Sequence, residues 1–437
     1  MKRRPQKPRN AKSVRSALVE IEKPIYGGAF LARMEGKATF VPLTLPGEQA
    51  RVRIVEEKSS YASAEPEGIV RGVPERVVPH CRHFGACGGC HYQHANYEAQ
   101  LQFKQAILRE TLERGGVRAP ETIEVLAGNP WQYRNRIRLA LDGAGRVGYR
   151  ARRSHDLVAI AECPIAAPLL VKAALDAEEV LRAVKPAFRA TEISLFSNAD
   201  ETELLASMMV PEPGTRGFDR VFEEWKKRIP ALVGAELVED AGRGNAPKVL
   251  AHLGESSLTY RTGGFDFRVD HGAFFQVNRW LIDDLCGKVA ANRRGGLAWD
   301  LFAGVGLFAK NLAKNFERVV AVEAAATASE ALKHNLEGCA DDCVIAETAA
   351  FLRAQGKRPR PDLIVVDPPR AGLGSEATSF LAEVGAPAIV YVSCDPATLT
   401  RDLRALLGSG YELSSVSLAD MFPQTFHLES VVELHRS

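Results

Sequence analysis

Cys394 stands in the string Ser393-Cys394-Asp395-Pro396, just beyond the apolar run Ile389–Val392. Asp395 reads as a helix N-cap and Pro396 as the first helical residue, which sets Cys394 at the positive end of a helix. That position tends to lower a thiol pKa and suits a nucleophile, although an isolated cysteine is more often a small buried hydrophobe. Asp367-Pro-Pro-Arg370 ends a second apolar run, Leu363–Val366. Two prolines lack N–H groups and hold the chain extended, so the carboxylate and carbonyls are left to face a pocket. Glu429 precedes the strand-like Ser430–Leu434 and is a candidate general base, with His427 as its rival. A thiol and a base together suit covalent catalysis.

A third constellation is Asp300-Leu-Phe302-Ala-Gly304-Val-Gly306-Leu307, again after an apolar run and before a helix-length segment. Its glycines permit a tight turn and a close ligand approach. Glu323 follows Gly304 by 19 residues, at the end of the next apolar run, where a carboxylate accepts both hydroxyls of a ribose. The same string reads G-x-G-x-x-A from Gly304 to Ala309, so a dinucleotide remains a competitor. Asp300 beside the loop leans against a pyrophosphate and toward the cationic methionine end of S-adenosylmethionine.

Cys81-x5-Cys87-x2-Cys90, with Cys163 far downstream, offers four thiolates, and Gly85, Gly88 and Gly89 let the loop wrap a bulky centre. Zinc and a four-cysteine iron–sulfur cluster both fit this spacing. His83, His91 and His94 are substitute ligands if one cysteine is excluded.

These residues need elements to hold them. Leu297–Leu301, Val319–Val322, Leu363–Val366 and Ile389–Val392 alternate with helix-length segments, the pattern of a doubly wound, mostly parallel α/β sheet. Ligands of such sheets lie beyond the carboxyl ends of the strands, where Phe302, Glu323, Asp367 and Cys394 fall. The expected domains are a basic tail (1–14), a small β barrel of the oligonucleotide-binding type (15–73), a mixed central domain (74–265) and the α/β domain (266–437). Turn signals at Gly27-Gly28, Glu35-Gly36 and Pro46-Gly47 separate the barrel strands. One helix spans 95–114, with Tyr97, Leu101, Leu108 and Leu112 on one face and Lys104 interrupting it.

The whole chain has 437 residues, a formal charge of only +2 and eight cysteines, so charge alone argues for no partner. Residues 1–15 do carry seven Lys or Arg and no acid, which attracts phosphates or merely aids solubility. Arg134–Arg138 and Arg150–Arg153 are further basic clusters for RNA contact; alternation sets Arg134, Arg136 and Arg138 on one strand face. No apolar stretch suits a signal peptide or a membrane span, so the expectation is a cytoplasmic monomer whose cysteines are ligands, nucleophiles or core residues.

Taken in order, Cys81-Arg-His-Phe-Gly-Ala-Cys87-Gly-Gly-Cys90-x-x-Gln93, Cys163-Pro164, Phe275-Gln276-Val277-Asn278, Asp300-Leu-Phe-x-Gly304-x-Gly306, Asp367-Pro-Pro-Arg370, Ser393-Cys394-Asp395-Pro396 and His427-x-Glu429 form a specific set. The chain resembles the bacterial 23S ribosomal RNA uracil-5-methyltransferases that carry an N-terminal TRAM domain and an iron–sulfur cluster. The resemblance implies a class I methyltransferase domain that methylates C5 of a uridine. It implies S-adenosylmethionine contacts by Gln276, Phe302, Gly304, Gly306, Leu307, Glu323 and Asp367, with Cys394 as nucleophile and Glu429 as base. It further implies a [4Fe–4S] cluster on Cys81, Cys87, Cys90 and Cys163. The sequence departs from the family's usual pattern at Leu307 and at Glu347-Thr348, near the expected adenine. Other readings are transfer RNA as substrate, an amino-group or cytosine methyltransferase, an NAD-linked oxidoreductase and a non-catalytic RNA-binding module.

Overall fold

Leu363–Val366 is four consecutive aliphatic residues, all buried. Such a run fits only a strand covered on both faces. In the computed structural model, which describes residues 15–242, 247–290, 292–339, 342–354 and 359–436, it lies at the middle of an eight-stranded sheet. Asp342–Ile345, Phe316–Glu323, Gly295–Leu301, Leu363–Val366 and Ala388–Ser393 run parallel, in that spatial order. Glu429–His435 then enters antiparallel, followed by Glu412–Ala419 and, at the edge, the short Glu124–Leu126. Helices on both faces enclose two hydrophobic cores.

The edge strand Glu124–Leu126 comes from far upstream, and so does helix Tyr97–Arg114. Asn96 caps that helix by accepting from the Ala99 amide at 2.8 Å. At its other end Gly115 comes against helix Pro396–Gly408, where a Cβ would meet Thr400 at 2.0 Å. The charge that breaks its apolar face has a partner: Lys104 Nζ lies 2.5 Å from Asp420 Oδ1, and both side chains are fully buried. Lys104 also donates to the Phe422 carbonyl at 2.9 Å, and Tyr97 Oη donates to Asp420 Oδ2 at 2.9 Å.

Residues 16–71 form a closed five-stranded barrel. Its strands alternate buried and exposed residues, as in Ser16–Pro24 around Val19 and Ile21, and the interior is filled by Phe30, Val41 and Val52. The central domain is a seven-stranded sheet from Arg136–Leu141 to Lys248–Gly254, covered by helices Pro168–Val184 and Phe218–Arg228. A boundary at 265/266 would cut the hairpin Ser257–Thr262 and Phe265–Asp270. Leu258, Tyr260, Phe267 and Val269 of that hairpin join a buried cluster that includes much of the α/β domain together with Phe196 and Leu205 of the central sheet. The basic tail, residues 1–14, lies outside the described residues.

Breaking the buried pair should be costly. Lys104→Met leaves the Asp420 carboxylate without its cation, and denaturant unfolding should show a loss of about 3–5 kcal/mol. Lys104→Met combined with Asp420→Leu should recover most of it. Equal losses in the single and double variants would contradict this account of the helix.

Candidate active site

The strand register gathers the residues singled out by the sequence. Leu301 pairs with both Val322 and Val366, and Val366 with Tyr391, so Phe302, Glu323, Asp367 and Cys394 occupy adjacent strand ends. Ser393 pairs with Ser430 in the antiparallel ladder. Continuing that register by one residue sets Glu429 opposite Cys394.

The loop after Gly295–Leu301 is sharply folded. Phe302, Gly304 and Gly306 all have positive φ (68°, 56° and 89°), and a non-glycine residue there marks local strain. Glu323 fixes the loop by accepting from the Gly304 amide at 2.7 Å and from the Ala325 amide at 2.6 Å. Asp300 accepts from the Ala309 amide at 2.8 Å, while its Oδ1 is buried without a partner. The Leu307 side chain, at the start of the following helix, belongs to the hydrophobic core. Glu347 precedes the short helix Thr348–Arg353, and Thr348 is buried.

The other side of the site is acidic. Gln276 Nε2 donates to Asp367 Oδ2 at 3.3 Å, and Asn135 Nδ2 anchors Gln276 by donating to its carbonyl at 2.8 Å. Burial pushes Asp300 up to about 7, assisted by the charges of Asp367 and Glu323, and it likewise pushes Asp367 to about 7. Glu429 is raised well above the usual carboxylate range by burial and then by Asp367, with Arg370 opposing, and its Oε1 has no partner. Asp367 adds to the rise at both Asp300 and Glu429, so the three carboxyl groups resist ionising together and the site favours a cation.

Asp395 does cap helix Pro396–Gly408, accepting from the Ala397 and Thr398 amides at 3.0 Å. The expected lowering of the Cys394 pKa is not found. Burial, then Glu429 and Asp367, push the thiol up to about 12, against the pull of Arg370. Helix polarity is too weak to offset two nearby carboxylates. His427 is a poor base: burial and Arg370 depress it to about 3, and Arg370 Nη2 donates to its Nδ1 at 3.2 Å.

One participant carries no signal in the sequence. Tyr26, in a barrel turn, donates to Asp395 Oδ2 at 3.4 Å and stacks edge-on against Phe426. The neighbouring Gly27-Gly28 is legible as a turn; where that turn docks is not. A Cβ on Gly28 would stand 2.8 Å from the His91 ring, so glycine is what lets the barrel approach this closely.

Cys81, Cys87, Cys90 and Cys163 line a single cavity of about 280 Å³ with Arg134, Tyr149 and His427. Burial pushes Cys87 to about 11 and Cys90 to about 12, and Cys163 adds to both shifts. A Cβ on Gly88 would come within 3.0 Å of the Arg150 carbonyl, so the loop needs glycine to fold around this cavity. The basic clusters divide. Arg134 faces the cysteines, and Arg136 lies 4.2 Å above the Phe196 ring with its Nε buried, so neither presents a free face to RNA. Arg138, Arg150, Arg152 and Arg153 instead line a cleft of about 640 Å³ between the barrel and the central domain.

A doubly wound sheet with an acidic pocket at its strand ends, a cysteine opposite a buried glutamate and a nucleic-acid-type barrel fit an S-adenosylmethionine-dependent RNA methyltransferase. A family model described as tRNA (Uracil-5-)-methyltransferase matches residues 223–437, and a TRAM domain model matches residues 11–66. The 23S rRNA (uracil(1939)-C(5))-methyltransferase RlmD of Chromohalobacter salexigens is 32% identical, over 96% of this chain and 89% of its own. An uncharacterized RNA methyltransferase of Aquifex aeolicus is 32% identical, over 95% of this chain and 97% of its own. The fold is shared with the Pyrococcus abyssi tRNA (uracil-54, C5)-methyltransferase, solved with S-adenosyl-L-homocysteine: TM-score 0.76, 24% identity, 95% of this chain and 100% of that one. The chain belongs to the TRAM-containing family of RNA uracil-C5-methyltransferases. That placement answers the oxidoreductase and the non-catalytic readings. Among the described residues no helix is long and apolar enough to cross a membrane.

Charge gives a direct test. If Asp367, which burial raises to about 7, faces the sulfonium of the donor, its protonation below pH 7 would remove that attraction. Calorimetric affinity for S-adenosylmethionine should therefore fall as pH drops through 7 toward 5, by up to roughly tenfold per unit. S-adenosylhomocysteine, neutral at sulfur, should weaken much less. Parallel profiles for the two ligands would remove Asp367 from the sulfonium site.

Proposed function

We propose that this chain methylates C5 of a specific uridine in 23S ribosomal RNA, with Cys394 as nucleophile and Glu429 as base. The observation that supports this most is the register that sets Cys394 opposite a buried carboxylate with an unpartnered oxygen. Gln276, Phe302, Gly304, Gly306, Glu323, Asp367 and the backbone at Leu307 would hold S-adenosylmethionine, which supplies an electrophilic methyl group.

Uracil C5 is a weak nucleophile. Addition of Cys394 to C6 makes an enolate whose charge reaches C5, and C5 then takes the methyl group. Glu429 removes the C5 proton, and elimination expels the Cys394 thiolate. Burial, Glu429 and Asp367 push the Cys394 thiol up to about 12, so in this reading little thiolate is present in the free protein. Arg370 favours the thiolate, and a cation held at Asp367 and Glu429 offsets the charges that raise it. The nucleophile is thus activated only in a loaded site, which protects it from adventitious alkylation. The target base must leave its stack to reach Cys394.

The RNA path in this reading is the arginine-lined cleft beside the barrel. The purified enzyme should form 5-methyluridine in unmodified 23S RNA fragments and not in transfer RNA, and Cys394→Ala should form none. Arg150→Glu should flatten the salt dependence of RNA binding, reducing the slope by about 0.7–0.9 for each phosphate no longer neutralised. Methylation confined to transfer RNA would move the substrate, and an exocyclic N-methyl product would refute the C5 chemistry.

The four cysteines would hold a [4Fe–4S] cluster with a structural role. The four half-buried thiols share one cavity, and burial raises all of them, which a cationic centre bound as thiolates would offset. No three of their sulfur atoms lie within 4.8 Å of one another. A single zinc ion, at Zn–S about 2.3 Å, wants sulfurs about 3.8 Å apart. Protein purified without oxygen should contain iron and sulfide, and Cys163→Ser should lose both. Stoichiometric zinc without iron would overturn this assignment.

A further inference from the structure

Far from the cysteines, the last two strands of the central sheet, Leu232–Glu239 and Lys248–Gly254, pair so that Glu236 lies directly opposite His252. His271 arrives from another direction, as the first residue beyond hairpin strand Phe265–Asp270. One nitrogen from each imidazole and one Glu236 oxygen fall within 4.8 Å of one another. His271 Nδ1 lies 3.8 Å from Glu236 Oε2 and 3.4 Å from Ser207 Oγ, and its ring stands edge-on to His252 at 5.7 Å. The His271 side chain is only 4% exposed, yet its Nε2 has no hydrogen-bond partner. A buried polar nitrogen left unpaired is costly and calls for an explanation.

We propose that Glu236, His252 and His271 form a binding site for one divalent transition-metal ion of the zinc type, which clamps the central sheet to the segment leading into the active site. Two imidazoles and one carboxylate are ligands that zinc accepts in sites with an open fourth position. Calcium and magnesium prefer all-oxygen sets. His252 is exposed on the edge strand, so water fills the fourth position from that side. Zinc ligands lie about 2.0–2.2 Å from the ion. The three donors must therefore draw together, and the edge strand carrying His252 is the element free to move. His271 is also five residues before Gln276. A metal here would fix the start of the chain His271-Gly-Ala-Phe-Phe-Gln276, while the hairpin before it packs into the core of the α/β domain.

The test uses the full chain with its cysteine centre intact, freed of loosely bound metal and titrated separately with Co²⁺ and Zn²⁺. One equivalent should bind, and Co²⁺ should give d–d bands without thiolate-to-metal charge transfer. Zn²⁺ should raise the thermal midpoint. Glu236→Gln and His252→Ala, chosen because both are less buried than His271, should keep the metal-free midpoint, weaken binding at least about tenfold and abolish the Zn²⁺-dependent rise. No binding, equal binding by wild type and both variants, or a sulfur charge-transfer band would each overturn the site.

Discussion

Carboxylates gathered along one edge of the α/β sheet, at the ends of its parallel strands and the start of the antiparallel strand Glu429–His435, govern this molecule. Asp300 and Glu429 are buried and Asp367 is partly so; burial raises all three above the usual carboxylate range, and the charge of Asp367 adds to the rise at Asp300 and at Glu429. Burial first, and then the charges of Glu429 and Asp367, raise the Cys394 thiol as well. A positively charged methyl donor would offset these charges, so that in the proposed reaction affinity for the donor and activation of Cys394 would be one electrostatic event.

The rest of the fold keeps that cluster in register. The buried Lys104–Asp420 pair ties helix Tyr97–Arg114 to the segment 420–429, which delivers Glu429. Gln100 Nε2 adds a bond to Gln424 Oε1 at 3.0 Å. The barrel joins at the same place, through Tyr26 on Asp395 and Phe426, and is braced elsewhere by Arg152 and Arg153 on Glu65. His427 is shared between Arg370 of the active site and the cysteine cavity. Barrel, cysteine cavity and the strand end that carries Cys394 thus meet along the one stretch of chain that leads into Glu429.

Local signals in the sequence are enough for much of this. Unbroken aliphatic runs mark parallel strands because both faces are covered, and the residue after each run falls at the site. Proline and aspartate after Cys394 mark the helix start. Long-range pairing is hidden. Lys104 looks like a flaw in an apolar face because its partner is 316 residues away. Alternating arginines at 134, 136 and 138 suggest one exposed stripe, yet the first two are absorbed by the cysteine cavity and by Phe196. The helix position of Cys394 suggests a low pKa, while the opposing carboxylates become neighbours only through the Glu429 strand. Hairpin Ser257–Asp270 carries no signal of which domain it will pack against.

The central claim is that Cys394 attacks and Glu429 releases, and intact-mass measurement of Glu429→Gln incubated with S-adenosylmethionine and substrate RNA tests it most directly. Attack and methyl transfer do not need the C5 proton to leave, whereas elimination does. The account predicts a denaturation-resistant adduct whose mass is the protein plus a singly methylated RNA, attached at Cys394 and absent from Cys394→Ala. Wild-type turnover by Glu429→Gln, or an adduct that persists in Cys394→Ala, would contradict it.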